Sequence, residues 1–299
     1  VKEIHVRRQK AMELGGKERV DRHHAEGKLT IRERIDGLLD KSSFVEVGQL
    51  TGDAVWEGAK FKDITPAPYV MGLGKMDGRW VAVGGEDFTV RGGSSAGLAR
   101  RKGGQGGFVE DMAREYRIPL INLIDGVGAN VSSALKSQFK RLPAKDGYER
   151  SLQLLGIVPV VCAVVGSTAG GPAGRAILSH FSIMIRKSSQ FFAAGPPVVA
   201  RALSKKVTKE ELGGAHIACD KAGAIDNAAK SEPEAFEQIR RFLSFMPTNV
   251  WEMPPCVNTR NGSTGSGWSR SRSAPASSPR RRPRSATSSE RPCVARSTT

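Results

Sequence analysis

The 299-residue sequence predicts an α/β fold, and three observations predict it. Beyond Gly93, apolar runs of strand length alternate with segments of helical character. Two of those runs, Ile118–Ile124 and Ile157–Val165, are almost wholly apolar, as buried strands are. Each passes into a glycine-rich turn before the next helix, the connection that a crossover between parallel strands needs.

The elements follow in order. Residues 1–28 are polar and basic and read as a surface helix, with His23 and His24 upon it. Thr30 and Glu33 form a T-x-x-E capping box, in which side chains satisfy the free amides that begin a helix. Ile35, Leu38 and Leu39 then share one face. Phe44–Val47 alternates as a short strand. Ala67–Gly74 and Trp80–Gly84 flank Met76-Asp77-Gly78-Arg79, whose Asp-Gly pair predicts a hairpin turn. Phe88-Thr89-Val90 reads as another strand, ending at Gly92-Gly93-Ser94.

Phe108–Tyr116 and Tyr148–Leu155 read as the helices next to the two apolar strands. After Val165, Pro172 suits the first turn of a helix running to about Ser179. Phe181–Arg186 is a third strand, and Pro197–Leu203 is helical. Thr208 and Glu211 make a second capping box. Pro233 opens a last helix with Phe236, Ile239, Phe242 and Leu243 near helical spacing.

Composition sets the outer bounds. The net charge is +16, from 46 basic and 30 acidic residues. Residues 257–299 hold nine Arg, no Lys and one acid, with no Leu, Ile, Phe, Met or Tyr. Such a segment cannot bury enough apolar surface to offset the entropy of ordering it. The expectation is therefore one folded domain over residues 1–255 and a disordered Arg/Ser/Pro-rich tail over 256–299. No run of about 18 apolar residues exists. The charged N-terminus lacks a signal-peptide apolar region, and the four cysteines form no CxxC pair, so no zinc ribbon or disulfide scaffold is indicated. A cytoplasmic setting is the expectation.

The informative constellation is the pair of strand–glycine–helix junctions, Ile124-Asp125-Gly126-Val127-Gly128-Ala129 and Val165-Gly166-Ser167-Thr168-Ala169-Gly170-Gly171-Pro172. The first amides of a helix lack internal partners and form the positive end of its dipole. Two such junctions on adjacent strands can aim two N–H groups at one developing oxyanion. The same glycines also serve where a helix packs closely on a sheet. Neither junction has P-loop or dinucleotide-binding spacing. Gly93-Ser94-Ser95-Ala96-Gly97 matches the G-x-S-x-G pattern of a hydrolase elbow with Ser95 as nucleophile. A plain Gly/Ser turn satisfies it equally, and no firm helix follows.

Several motifs, in order, resemble the carboxyltransferase β subunit of biotin-dependent acyl-CoA carboxylases, over its N-terminal half. Gly27-Lys28-Leu29-Thr30-Ile31-Arg32-Glu33-Arg34-Ile35, continuing to Leu38-Leu39-Asp40, resembles the family's opening. Gly78-Arg79, Asp87-Phe88-Thr89-Val90 and Gly92-Gly93-Ser94 resemble its "GR…DxTVxGGS", which gives Ser95 a non-catalytic explanation. Gly166 to Gly171 resembles "GxxAGG", Phe192-Ala193-Ala194-Gly195-Pro196 resembles "FLxGP", and Glu211-Leu212-Gly213-Gly214-Ala215 resembles "ELGGA".

The resemblance implies a crotonase-like superhelix of ββα units and carboxyl transfer from carboxybiotin to the α-carbon of an acyl-CoA. It implies backbone donors around Gly128, Ala129, Gly170 and Gly171 for the enolate oxygen. It implies biotin carried on a partner protein, a biotin carboxylase, further copies of the chain, and no metal. Coenzyme A carries phosphates, for which Arg100, Arg101 and Lys102 are candidates; a solvated basic face is the competing reading. Asp87 and Asp125 read as turn caps, and Trp56, Trp80 and Trp251 as packing residues. His23, His24 and His216 are assigned neither catalysis nor metal.

The sequence departs from the family in two places. Gly126 and Val127 stand where the family has Ser and Gly, and a valine disfavours positive φ, so a reshaped turn is expected. Beyond Pro255 no second crotonase-like domain follows, and the tail composition suggests a frameshift near residues 256–262. On that expectation the chain is the acyl-CoA-binding half. The alternatives are a biotin-dependent decarboxylase subunit sharing these motifs, and a non-catalytic protein whose basic tail binds nucleic acid. The tail's single aromatic, Trp268, argues against the latter. A hydratase or isomerase would need a carboxylate over the thioester, and neither junction holds a Glu.

Overall fold

In the computed structural model, strand order follows from where the apolar runs fall. The structure describes residues 1–94, 102, 107–128 and 146–255, all within a unit spanning Val1–Cys256. The expected tail at 256–299 lies outside the described residues, as does Ser95. A seven-stranded sheet forms the centre, in the order β1 (Val45–Glu46), β4 (Tyr69–Met76), β5 (Arg79–Glu86), β6 (Leu120–Ile124), β7 (Val160–Val164), β9 (Phe181–Ile185) and β11 (Asn227–Ala229). β1, β4 and β5 pair antiparallel; from β5 to β11 every pairing is parallel.

The central parallel strands β6, β7 and β9 are almost wholly apolar, with Asn122 and Ser182 as their polar residues, because helices cover both faces. Side chains alternate across a strand. Ile121, Leu123, Val161, Ala163 and Ile183 face one core with Ile31, Ile35 and Leu38 of α3 (Ile31–Leu38) and Ile239 and Leu243 of α9 (Glu232–Phe245). Leu120 and Val160 face the other with Val109 and Ala113 of α4 (Phe108–Tyr116) and Leu154 of α5 (Asp146–Leu155). A third cluster joins Ile124, Val164 and Met184 to Ala176 of α6 (Gly171–Ile177) and to Ala218 in the π-helical turn His216–Lys221.

Local chemistry explains the element ends. Thr30 caps α3 reciprocally with Glu33, and Thr208 does the same with Glu211 for α8 (Lys209–Gly213). The β4–β5 turn places Asp77 and Gly78 at positive φ, 51° and 80°, and both amides donate to the Asp40 carboxylate, at 3.0 and 2.8 Å.

Four expectations are corrected. Residues 1–28 form two helices, α1 (Lys2–Glu13) and α2 (Lys17–Ala25), broken at Leu14-Gly15-Gly16. His23 is not a surface residue: its ring is buried, stacks on Phe88 and sets Nε2 3.2 Å from the Leu29 carbonyl. Phe88-Thr89-Val90 is a turn rather than a strand, because Asp87 accepts from the amide and hydroxyl of Thr89, at 3.0 and 2.6 Å. Trp56, Trp80 and Trp251 are about half-exposed; Trp80 and Trp251 lie under the cations of Lys75 and Arg117. Three features went unread in the sequence: the hairpin β2 (Gly52–Glu57) and β3 (Lys60–Pro66), the small parallel pair β8 (Ser167–Ala169) and β10 (Gln190–Phe192), and β11. Helix α7 (Pro196–Leu203) stands as expected.

Candidate functional site

Strands β6 and β7 pair in parallel from Leu120 with Val160 to Ile124 with Val164, so their glycine loops leave the sheet side by side. The pairing does not stop at the strand ends. Val165 N donates to Ile124 O at 3.0 Å, Ala169 N to Gly126 O at 3.2 Å and Gly128 N to Ala169 O at 2.9 Å, and Val127 bridges Ala169. The valine that was expected to reshape the turn is thus held in a strand-like bridge. It is not among the residues at positive φ, and its half-exposed side chain lies against Gly92.

The two junctions meet at Gly128. A methyl group there would stand 3.0 Å from Ala169 O, 3.3 Å from Gly171 N and 3.5 Å from Gly170 Cα, so the absent side chain permits this approach. Gly128, Gly170 and Gly171 are therefore brought together; Ala129 lies outside the described residues. One expectation is refined by the hydrogen bonds. The Gly128 amide is engaged by Ala169 O, and the Gly170 amide points to Phe192 O at 3.4 Å. Both amides are thus hydrogen-bonded within the protein. Gly170, at φ 67°, caps α6, with Pro172 in its first turn.

Beneath the loops lies a buried charge cluster that sequence reasoning missed. Arg34, 1% exposed, donates Nη1 to Asp125 Oδ2 at 3.0 Å and Nη2 to Val165 O at 3.1 Å. Its Nε and Nη2 grip both oxygens of Glu232, at 2.8 and 3.0 Å. Asp125, read as a turn cap, is instead a fully buried ion-pair partner, whereas Asp87 does cap its turn. Any side chain at Gly166 would overlap the Asp125 carboxylate. His23 Nε2 stands 3.6 Å from Asp125 Oδ2, and burial pulls its pKa below the usual histidine value. A second buried pair, Arg175 with Glu86, lies under Gly126. It leaves Arg175 Nε and Nη1 and Glu86 Oε2 without a hydrogen bond among the described residues.

The phosphate-binding candidates separate. Arg100 and Arg101 lie outside the described residues. Lys102 is corrected: only 6% exposed, it is enclosed near Glu46 and Arg32, and burial pushes its ammonium down to about 8. It does not line an open basic wall. An open cleft of about 260 Å³ does lie beside the first loop, lined by Arg19, Arg22, Arg91, Phe88, Thr89 and Gly92 with His23 and the acid Glu26 among them. Gly92 O accepts from Val127 N at 3.0 Å, which ties this cleft to the glycine junction. Arg19 and Arg22 read in the sequence as an ordinary polar helix face, so only the fold reveals their place. Among the described residues no cluster of His, Cys, Asp and Glu is placed to hold a metal, and no helix is long and apolar enough to cross a membrane.

Comparison with known proteins gives this site its context. Residues 22–281 match the family model for the carboxyl transferase domain. The chain is 36% identical over 253 residues to the biotin-dependent acetyl-/propionyl-coenzyme A carboxylase beta5 subunit of Mycobacterium tuberculosis, covering 83% of this chain and 44% of that one. It is 33% identical over 266 residues to the methylmalonyl-CoA decarboxylase subunit alpha of Veillonella parvula, covering 87% and 50%. Among solved structures, the transcarboxylase 12S hexamer with methylmalonyl-coenzyme A and methylmalonic acid bound matches with a TM-score of 0.71 and 31% identity, over 86% of this chain and 49% of that one. The chain spans about half the length of these relatives. Its motifs, its paired glycine junctions and its sheet thus agree with the comparisons: the fold is crotonase-like, and the chain belongs to the carboxyl transferase domain family.

Proposed function

We propose that this chain is the acyl-CoA-binding part of the carboxyltransferase component of a biotin-dependent acyl-CoA carboxylase. The observation that carries this reading is the meeting of Gly128 with Gly170 and Gly171 at the ends of two adjacent parallel strands. In the reaction the thioester loses its α-proton, its oxygen becomes an enolate, and the α-carbon forms the new C–C bond. Carboxybiotin on a partner protein would supply the carboxyl group and accept the proton. What the chain contributes is the cradle. We assign the donors to the backbone around Gly128 and Ala129 on one loop and around Gly170 and Gly171 on the other, the absent side chain of Gly128 allowing the two loops to approach closely. Fixed amides stabilise charge that appears only in the transition state, and one such donor accounts for roughly 10²–10³ in rate.

The coenzyme A phosphates are assigned to the cleft of Arg19, Arg22 and Arg91, whose forked guanidinium groups suit phosphate oxygens. A biotin carboxyl carrier, a biotin carboxylase and further copies of this chain are the partners this reading requires. No residue of the chain is assigned to biotin.

Calorimetry of the chain with acetyl-, propionyl- and methylcrotonyl-CoA tests the proposal. Saturable heat with at least one thioester is expected; a folded sample giving none with any of them defeats it. The similarity to a decarboxylase subunit supports a second reading, in which the same cradle holds the enolate left when a malonyl-type thioester loses CO2 to biotin. Tighter binding of methylmalonyl-CoA than of propionyl-CoA would favour that direction.

A further inference from the structure

We infer that Arg34 is the positioning residue of the site: one guanidinium anchors the paired glycine loops to α3 and α9. The inference rests on the function proposed above and adds a residue to it. The residues immediately before the loops are Asp125 and Val165. Nη1 holds the Asp125 carboxylate and Nη2 holds the Val165 carbonyl, at 3.0 and 3.1 Å. Two nitrogens of one rigid plane thereby tie the two loop entrances together from within the protein. The plane itself cannot turn, because Glu232 grips Nε and Nη2 from the first turn of α9. Glu232 is anchored in turn by the Leu29 amide, at 3.2 Å, just before α3 begins.

The outer side of the loops is laced by the backbone bonds through Val127 and Ala169. Without the inner tie those bonds still join the loops to each other, but not to α3 and α9. Asp125 also sets the floor of the second loop, since Gly166 lies against its carboxylate with no room for a side chain. A shift of Asp125 therefore moves both loops. Lysine cannot replace the arginine here, because a single ammonium lacks the planar fork that reaches four oxygens on three residues.

The test compares wild type, Arg34→Lys and the milder Glu232→Gln in the full chain with two ligands. Propionyl-CoA has the carbonyl oxygen that the loops are proposed to hold; S-propyl-CoA, a thioether, lacks it. The wild type is expected to favour the thioester by roughly tenfold, since each hydrogen bond to a carbonyl contributes a few-fold. In the variants that ratio is expected to fall to about one or two, with thioether affinity unchanged. A merely structural role lowers both affinities together or neither; either result in a folded variant overturns the inference. Should Arg34→Lys fail to fold, Glu232→Gln carries the same comparison. A wild-type ratio of one defeats the proposed function instead. Amide hydrogen exchange over residues 120–128 and 163–172 then decides the positioning claim alone. Faster exchange in both segments together supports it, and a change in one or neither overturns it.

Discussion

Replacing Gly166 by alanine probes the packing on which the site stands. The added methyl group falls inside the Asp125 carboxylate, so either the loop backbone or Asp125 must move. Backbone displacement in a packed interior costs about 1–3 kcal/mol. If Asp125 moves instead, Arg34 Nη1 loses its 3.0 Å partner, and breaking a buried pair on one side costs about 3–5 kcal/mol. The chain takes the cheaper route, so a loss of roughly 1–3 kcal/mol is expected. Against a domain stability of about 5–15 kcal/mol, that is a large fraction. Gly128→Ala is the control: its methyl group stands 3.0 Å from Ala169 O, a contact relieved by a few tenths of an ångström, and its loss should stay below about 1 kcal/mol. Urea titrations of both variants, with the slope checked for constancy, give the two values. A Gly166→Ala loss no larger than that of Gly128→Ala refutes the claim that Asp125 is locked beneath the loop.

Three further outcomes are expected. Lys102, pushed by burial to about 8 from 10.5, binds its proton more weakly folded than unfolded, so its burial penalises the folded state at neutral pH and the penalty lifts as pH rises from about 8 towards 10.5. Lys102→Met should therefore stabilise the chain by up to about 3 kcal/mol at pH 7 and abolish that rise, as denaturant midpoints across pH will tell. Glu86→Gln alone strands the buried Arg175 and should cost about 3 kcal/mol, while the double variant Glu86→Gln with Arg175→Met should recover most of it, because the pair leaves polar atoms unsatisfied. Thermal melts of the single and double variants decide between pair and bulk effects. Arg19→Glu and Arg91→Glu should each weaken coenzyme A binding by roughly three- to tenfold, with a shallower salt dependence than the wild type; unchanged affinity in both moves the phosphates elsewhere.

How far the sequence could be read depended on whether the deciding interactions were local. β6 and β7 were legible because burial on both faces leaves an almost wholly apolar run, and Thr30 with Glu33 was legible because a capping box closes within four residues. Phe88-Thr89-Val90 misled because aromatic and β-branched residues favour strands, while the Asp87 carboxylate imposes a turn. β2 and β3 were hidden because that hairpin is mostly exposed and carries no clean alternation. At the site, the glycines announced the junctions, but the hydrogen bond from Gly128 to Ala169 depends on how two strands register. Arg34 and Glu232 are 198 residues apart, so no window of sequence links them. Lys102 read as part of a basic run, and only the fold encloses it beside Glu46 and Arg32.

The bridge between Val127 and Ala169 makes the glycine loops a prolongation of the central ladder rather than appendages to it. Their separation is inherited from the interstrand distance common to every β-sheet, about 4.7–4.9 Å. Heating should accordingly extinguish ligand binding and the sheet's far-ultraviolet signal in one transition, without an interval in which an intact scaffold carries a spoiled pocket.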